Sequence, residues 1–147
     1  MGARETVSVS GSSGGVRRAT EAFEHFSDTH AVPTQARWRF LVALDEVLSN
    51  IVRHGFDGLR GTIDVTFALD ERELTVRVED AATRFNPLLA PTPDRAVSLE
   101  ERSPGGLGIA LVQALMDGVH YEWRDGRNVL TLKWRLDREG TTSHADH

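Results

Sequence analysis

With 147 residues, the chain is long enough to form one domain with its own hydrophobic core. It has no cysteine, which excludes disulfides and thiolate metal sites, and its net charge of −5 argues against a nucleic-acid surface. No stretch approaches the roughly 18 apolar residues of a membrane span, and no apolar signal-peptide core lies near the N-terminus. We therefore expect a cytoplasmic protein.

The first third of the chain predicts one strand followed by two helices. Residues 5–10 alternate between polar and apolar side chains, which is typical of a strand. Apolar residues spaced three and four apart then predict an amphipathic helix over 16–26, which the polar segment 27–30 should end. A longer helix should begin at Pro33, a residue suited to a first turn, and end at Gly55.

Two extended segments follow, and then a long irregular one. Residues 62–69 and 73–79 alternate with the period of strands and are separated by a short polar turn, so an antiparallel hairpin is expected. Residues 80–104 contain four prolines and show no sustained period. Because an irregular stretch of that length is unusual in a compact domain, it predicts a lid or binding loop.

The last part of the chain predicts a helix and a second hairpin. The helix covers 106–116, and the hairpin strands cover 119–123 and 128–135 around an Asp-Gly turn. The order of elements predicts a two-layer α/β sandwich, in which a mixed, mostly antiparallel sheet carries helices on one face. We expect one domain over residues 1–139 and a disordered tail over 140–147.

Glu46 and Asn50 lie four residues apart on the longest predicted helix, so one helical turn places them on the same face. An amide oxygen suits Mg²⁺, which prefers oxygen ligands together with phosphate groups. A carboxylate beside it can accept the proton of an attacking hydroxyl or water. The pair predicts magnesium-dependent phosphate chemistry, although the same spacing also occurs by chance on helix surfaces.

Gly105, Gly106, Leu107 and Gly108 form a glycine-rich turn at the start of the predicted third helix. Glycine lets a backbone approach a ligand closely, and the first N–H groups of a helix attract phosphate. The segment lacks the Gly-Lys-Ser/Thr of a Walker loop, and no strand leads directly into it as in dinucleotide-binding folds. It predicts a phosphate site of another kind, with a flexible helix start as the alternative.

Asp80 ends the second strand of the first hairpin, where the proline-rich segment begins. A carboxylate at this position is able to accept a hydrogen bond from an adenine amino group. The alternative is an ordinary aspartate of a strand-ending turn.

Together these segments resemble the Bergerat-fold ATPases, the group of gyrase, a heat-shock chaperone, histidine kinases and mismatch-repair ATPases. The resemblance is closest to the small anti-sigma factor serine/threonine kinases, and it extends over nearly the whole chain. The segments that carry it are LDEVLSNIVRHG at 44–55, VED at 78–80, FNP at 85–87, GGLGI at 105–109, LMD at 115–117 and NVLTL at 128–132.

The resemblance implies that ATP and Mg²⁺ bind beneath the lid, with Asn50 on the metal and Asp80 on the adenine. It also implies that the glycine turn supports the phosphates, and that Glu46 activates a serine hydroxyl of an anti-anti-sigma (STAS-type) partner. A sigma factor is the second implied partner, and a homodimer is implied as well. Direct contact with nucleic acid or with a membrane is not expected.

One position departs from the resembled family. Its usual Asp-x-Gly is here Asp80-Ala81-Ala82, and glycine at the third position lets the backbone pass close to the nucleotide. A non-catalytic anti-sigma or partner-switch module, with weak or no nucleotide binding, is therefore the alternative function. A detached histidine-kinase ATPase domain is a third, which the lack of a preceding phosphoacceptor helix pair disfavours.

Overall fold

The computed structural model describes residues 2–55, 61–89 and 104–136. These residues form β1 (Ala3–Ser10), α1 (Ser13–His30), α2 (Thr34–Asn50), β2 (Thr62–Leu69), β3 (Glu73–Asp80), α3 (Pro104–Leu115), β4 (Gly118–Arg124) and β5 (Arg127–Arg135). A π-helical turn at Ile51–Gly55 continues α2, and a short 3-10 turn at Pro87–Leu89 follows β3.

The five strands form one sheet in the order β1-β2-β3-β5-β4, and each neighbouring pair is antiparallel. One face of the sheet is apolar and lies under the helices, because alternate residues of the central strands are buried: Ile63, Val65, Phe67, Leu74, Val76, Val78, Leu130 and Leu132. The opposite face is polar, with Asp64 accepting hydrogen bonds from Ser8 and Arg127. The predicted two-layer α/β sandwich is confirmed.

Four phenylalanines join α1 and α2 to the sheet. The ring of Phe23 lies 6.0 Å from that of Phe40 and 5.4 Å from that of Phe67, and Phe26 lies 5.4 Å from Phe67, measured between ring centroids. All four side chains are fully buried. Aromatic pairs at these separations add to the free energy of apolar burial, so this cluster fixes α2 against the sheet.

The prediction that α1 ends at residues 27–30 is wrong. Ser12 caps the helix by accepting a hydrogen bond from the Gly15 N–H at 3.2 Å, and the helix then continues to His30. Ser27 is buried within it, and Ala31 ends it with a left-handed φ of 56°. The buried ring of Phe26 lies 4.6 Å from the His30 ring, and the Val32 N–H donates a 3.0 Å hydrogen bond to the Ser27 carbonyl oxygen, so local contacts extend the helix through these polar residues.

Arg39 fixes the end of α3. Its Nη1 donates a 2.8 Å hydrogen bond to the carbonyl oxygen of Leu115, and its guanidinium lies 4.1 Å from the ring centroid of Trp134. A cation is favourable at a helix C-terminus, where carbonyl groups are unsatisfied. Because Arg39 lies early in α2, α3 runs antiparallel to α2, and its first turns lie beside the end of α2.

Two predictions fall partly or wholly outside the described residues. The lid predicted over 80–104 is described only to residue 89 and again from 104, and the tail at 140–147 is not described. Within the described part of the chain, no helix combines the length and the apolar character needed to cross a membrane.

Candidate nucleotide site

Glu46, Asn50 and Gly108 meet where α2 packs on α3. A Cβ atom placed on Gly108 would lie inside 3.0 Å of the Glu46 Oε1, 3.4 Å from its Cδ and 3.6 Å from the Asn50 Nδ2. No side chain larger than hydrogen fits there without displacing the carboxylate. The glycine is therefore required by this close approach, which brings together three of the residues that the sequence analysis singled out.

The glycine segment is helical, and α3 begins two residues earlier than the predicted start at residue 106. Because α3 begins at Pro104, the backbone of Gly105, Gly106 and Leu107 belongs to its first turn, and Gly108 follows as a buried helical residue. The N–H groups of a first helical turn have no partner within the helix. These N–H groups and the helix dipole are the features of this end of α3 that would favour a phosphate group.

The side chains of Glu46 and Asn50 are half-buried. The Oδ1 of Asn50 accepts a 3.0 Å hydrogen bond from the Nη2 of Arg53. Among the described residues, no hydrogen bond or ion pair involves the Glu46 carboxylate. The Glu46 carboxylate therefore has no hydrogen-bond or ion-pair partner among these residues, whereas the guanidinium of Arg53 would compete with a metal ion for the Asn50 oxygen.

Asp80 lies in a second group of polar residues, at the end of β3. Its side chain is only 3% exposed, because residue 80 follows Leu74, Val76 and Val78 on the helix-covered face. Its Oδ1 accepts hydrogen bonds from the Ala82 N–H at 2.9 Å and from the Asn128 Nδ2 at 3.0 Å. These two bonds hold the carboxylate in one orientation.

Asn128 was not among the predicted site residues, although the strand pattern places it beside Asp80. The two residues are register partners on neighbouring strands, and Asn128 is 8% exposed. Alternation along β5 puts it on the same side as Leu130 and Leu132, and a polar side chain on a buried face needs hydrogen-bond partners. An asparagine at a buried position of a strand was therefore the feature of the sequence that could have pointed to Asn128.

The two groups are separate in the described structure. Glu46, Asn50 and Gly108 are brought together by α2 and α3, while Asp80 and Asn128 are brought together by β3 and β5. Among residues 2–55, 61–89 and 104–136, no hydrogen bond or ion pair joins the two groups. Both lie on the side of the sheet that the helices cover, so the structure assembles the two ends of a candidate site rather than one cluster.

The residues of the first group fit a magnesium ion held partly by phosphate. The described residues contain no group of three or more His, Asp or Glu side chains able to hold a metal ion alone. Mg²⁺ commonly takes one or two protein oxygens and completes its coordination with substrate phosphates and water. Asn50 offers one such oxygen, its Oδ1, which lies on the Arg53 side of the amide, while its Nδ2 faces Gly108.

A two-layer sandwich with a carboxylate and amide on one helix, opposite a glycine-rich helix start, defines a class of nucleotide-binding ATPase domain. The profile of one protein family, described as the histidine kinase-like ATPase domain, matches residues 10–134. The chain belongs to this family.

Several curated proteins are similar to the chain. Serine/threonine-protein kinase BtrW of Bordetella bronchiseptica is 39% identical over 100 residues, which cover 66% of this chain and 70% of that protein. Serine-protein kinase RsbW of Listeria monocytogenes is 33% identical over 104 residues, covering 67% and 66%. The RsbW of Bacillus licheniformis is 34% identical over 113 residues, covering 69% and 68%. The matched segment thus spans about two thirds of the length of these relatives.

A solved structure supports the fold. The crystal structure of the RsbU and RsbW domains of a Mycobacterium tuberculosis protein superposes with a TM-score of 0.62 at 14% identity. The match covers 91% of this chain and 32% of that one. At this identity the likeness concerns the fold, and it agrees with the sandwich described above.

Proposed function

We infer that the protein is an ATP-dependent protein serine/threonine kinase that acts as an anti-sigma factor and phosphorylates an anti-anti-sigma partner. The observation that carries this proposal is the packing of Gly108 against Glu46 and Asn50, which leaves a free carboxylate and an amide beside a helix start. The similarity to proteins named serine-protein kinases supports the kinase activity. The resemblance of the site segments to anti-sigma kinases supports the regulatory role.

The proposed chemistry needs few protein groups. The partner's serine oxygen attacks the γ-phosphorus of ATP, its proton passes to the Glu46 carboxylate, and the bond to the β–γ bridging oxygen breaks to release ADP. Asn50 would hold Mg²⁺, which neutralises charge on the phosphates. The first turn of α3 would bind phosphate oxygens, and Asp80 would bind adenine. Phosphoryl transfer depends mainly on such positioning and charge neutralisation.

The backbone at Ala82 does not require the glycine that the resembled family has there. Among the described residues other than glycine, only Ala31 and Asp125 have a positive φ, so Ala82 adopts a conformation open to any residue. Its side chain is 9% exposed and belongs to the buried core cluster. The methyl group is thus accommodated by core packing.

A non-catalytic partner-switch module remains the second candidate, because a buried methyl at position 82 reduces the space near Asp80. Calorimetry with ATP and Mg²⁺ distinguishes the two. Micromolar binding supports the kinase. Absent or millimolar binding supports the module, and recovery of affinity in Ala82→Gly would assign the loss to that methyl group.

The partners are proposed from the same family likeness and from the surface beside the site. An open groove of about 470 Å³ lies between α1 and the end of α2, and Arg17, Asp45 and Arg53 are among its lining residues. Since Arg53 also bonds to Asn50, a protein docked there would lie next to the candidate metal ligand. We further propose a cytoplasmic location, one domain over residues 1–139 and a homodimer, with a sigma factor and a STAS-type protein as partners.

The kinase proposal is tested by incubating the protein with ATP labelled at the γ-phosphate, Mg²⁺ and the cognate anti-anti-sigma protein. Label should appear on a serine of the partner, and Glu46→Ala should reduce the transfer rate at least 100-fold, as expected for loss of a general base. Glu71→Ala removes an exposed carboxylate at the β2–β3 turn and serves as the control. Full transfer by Glu46→Ala would refute the role of Glu46.

A further inference from the structure

Asn128 is the centre of a hydrogen-bond network around Asp80. Its Nδ2 donates to the Asp80 Oδ1 at 3.0 Å and to the carbonyl oxygen of Thr83 at 3.1 Å. Its Oδ1 accepts from the Phe85 N–H at 3.0 Å and from the Tyr121 hydroxyl at 2.6 Å. One amide side chain thus connects β5, β4, the end of β3 and the segment that follows β3.

The orientation of the Asn128 amide is determined by its partners. A main-chain N–H such as that of Phe85 only donates, whereas a carboxylate and a main-chain carbonyl only accept. Turning the amide over would place its NH₂ group against the Phe85 N–H and its oxygen against Asp80. The Tyr121 hydroxyl donates a second hydrogen bond to the same oxygen, which fixes the position of the amide group.

The consequence for Asp80 is a carboxylate with one oxygen occupied and one available. Both of its hydrogen bonds, from Ala82 and Asn128, end on Oδ1. Among the described residues, Oδ2 accepts no hydrogen bond, and it is not one of the buried atoms left without a partner. It is therefore accessible to a donor from a ligand, and a carboxylate in this position attracts an amino group and repels a carbonyl oxygen.

We propose that Asn128 and Tyr121 are positioning residues that orient Asp80 toward the 6-amino group of adenine and so set the selectivity among purine nucleotides. The inference rests on the proposed ATP site and specifies how that site recognises its base. Asn128 acts through Asp80 and through the segment 82–85, which it ties to β5, and Tyr121 acts through Asn128. Neither residue needs to touch the nucleotide.

The experiment compares the dissociation constants of ATP and of purine riboside triphosphate, which lacks the 6-amino group, for four proteins. These are the wild type, Asn128→Ala, Tyr121→Phe and the control Asp70→Ala. Asp70 holds the turn at the other end of β3 by accepting hydrogen bonds from the N–H groups of Arg72 and Glu73. The control therefore loses a similar pair of side-chain hydrogen bonds, neither of which involves Asp80.

We expect the wild type and Asp70→Ala to bind ATP about 10- to 100-fold more tightly than the analogue, the range for a hydrogen bond to a charged group. In Asn128→Ala this ratio should approach one, while the affinity for the analogue changes less than about threefold. Tyr121→Phe should reduce the ratio partially, because the Phe85 N–H still orients the amide. A general loss of structure would weaken both ligands equally and leave the ratio unchanged.

An unchanged ratio in folded Asn128→Ala and Tyr121→Phe overturns the inference and leaves the ATP site standing. If Asn128→Ala fails to fold, Tyr121→Phe decides alone, because it removes only one oxygen atom. A wild type that binds both nucleotides with equal affinity refutes recognition of the amino group by Asp80. A wild type that binds neither refutes the proposed nucleotide site itself, and with it this inference.

Discussion

Replacing Gly108 by alanine tests the close approach between α2 and α3. The added Cβ would lie inside 3.0 Å of the Glu46 Oε1, a separation that real Cβ atoms do not show. The other neighbouring atoms, at 3.4 and 3.6 Å, are at or near ordinary contact distances. The carboxylate is the mobile end of a side chain, so we expect it to retreat by up to about 1 Å until normal contact is restored.

This displacement should affect activity much more than stability. Alanine is favoured over glycine within a helix by roughly 0.5–1 kcal/mol, and this gain offsets part of the cost of moving Glu46. We therefore expect the free energy of unfolding of Gly108→Ala to lie within about 1 kcal/mol of the wild-type value. A misplacement of about 1 Å in a group that takes a proton reduces rates on the order of 100-fold.

The assay is single-turnover transfer of the γ-phosphate to the anti-anti-sigma protein at saturating ATP, together with urea denaturation. Gly14→Ala is the matched control, because Gly14 lies in the first turn of α1 and its added Cβ meets only the Ser12 Oγ, at 3.7 Å. In a Glu46→Ala background, Gly108→Ala should cause little further loss, since both changes act on one carboxylate. Wild-type transfer by Gly108→Ala, or a loss of several kcal/mol in stability, would refute this reasoning.

Three further predictions follow from single contacts. Arg39→Met loses the hydrogen bond to the end of α3 and the contact with a tryptophan ring, so it should lower the free energy of unfolding by about 1–2 kcal/mol in urea titrations. The control Arg37→Met loses only an exposed ion pair and should lower it by about 0.5 kcal/mol. Arg53→Met should lower the Mg²⁺ concentration for half-maximal transfer up to about fivefold, because the guanidinium no longer competes for the Asn50 oxygen; an unchanged requirement would contradict this. Hydrogen bonds from backbone N–H groups lower the pKa of Asp70 below its ordinary value of 3.8, so the ionised side chain stabilises the fold above that pH, and this stabilisation is lost as the pH falls through the lowered pKa. Asp70→Asn should therefore have a lower melting temperature than the wild type at neutral pH, and the difference should shrink progressively below pH 3.8.

Much of the fold can be predicted from the periodicity of the apolar residues and from the turn residues between the elements. The strand predicted at 62–69 has the observed bounds, because its alternation is regular and polar turns flank it. The end of α1 could not be predicted in the same way. Left-handed helix ends usually carry glycine, and here Ala31 takes that role while the Val32 N–H donates a hydrogen bond to the Ser27 carbonyl oxygen.

Only those features of the candidate site that depend on residues close in sequence could be predicted. The spacing of Glu46 and Asn50 fixes their common face, and a glycine-rich helix start indicates a close approach of some kind. That Gly108 approaches these two residues depends on how α3 packs on α2, which no local pattern contains. Asn128 was missed because a single asparagine in a strand is common, and its partners are brought near only by strand register.

The two ends of the site are held by different parts of the fold, and this separation has a measurable consequence. Packing of α2 on α3 places Gly108 against Glu46, whereas pairing of β5 with both β3 and β4 links Tyr121 to Asp80 through Asn128. Changes at sites that share no contact usually have additive effects on free energy, within about 0.5 kcal/mol.

Gly108→Ala combined with Tyr121→Phe should therefore show the slow transfer of the first variant and the reduced adenine selectivity of the second. Each effect should have the size that it has alone, as measured by single-turnover transfer and by the ratio of nucleotide affinities. If the double variant instead lost selectivity altogether, or recovered transfer, the two ends would be coupled. Such coupling would mean that the base and the phosphates are positioned by one shared element, and the division between helix packing and strand register would be wrong.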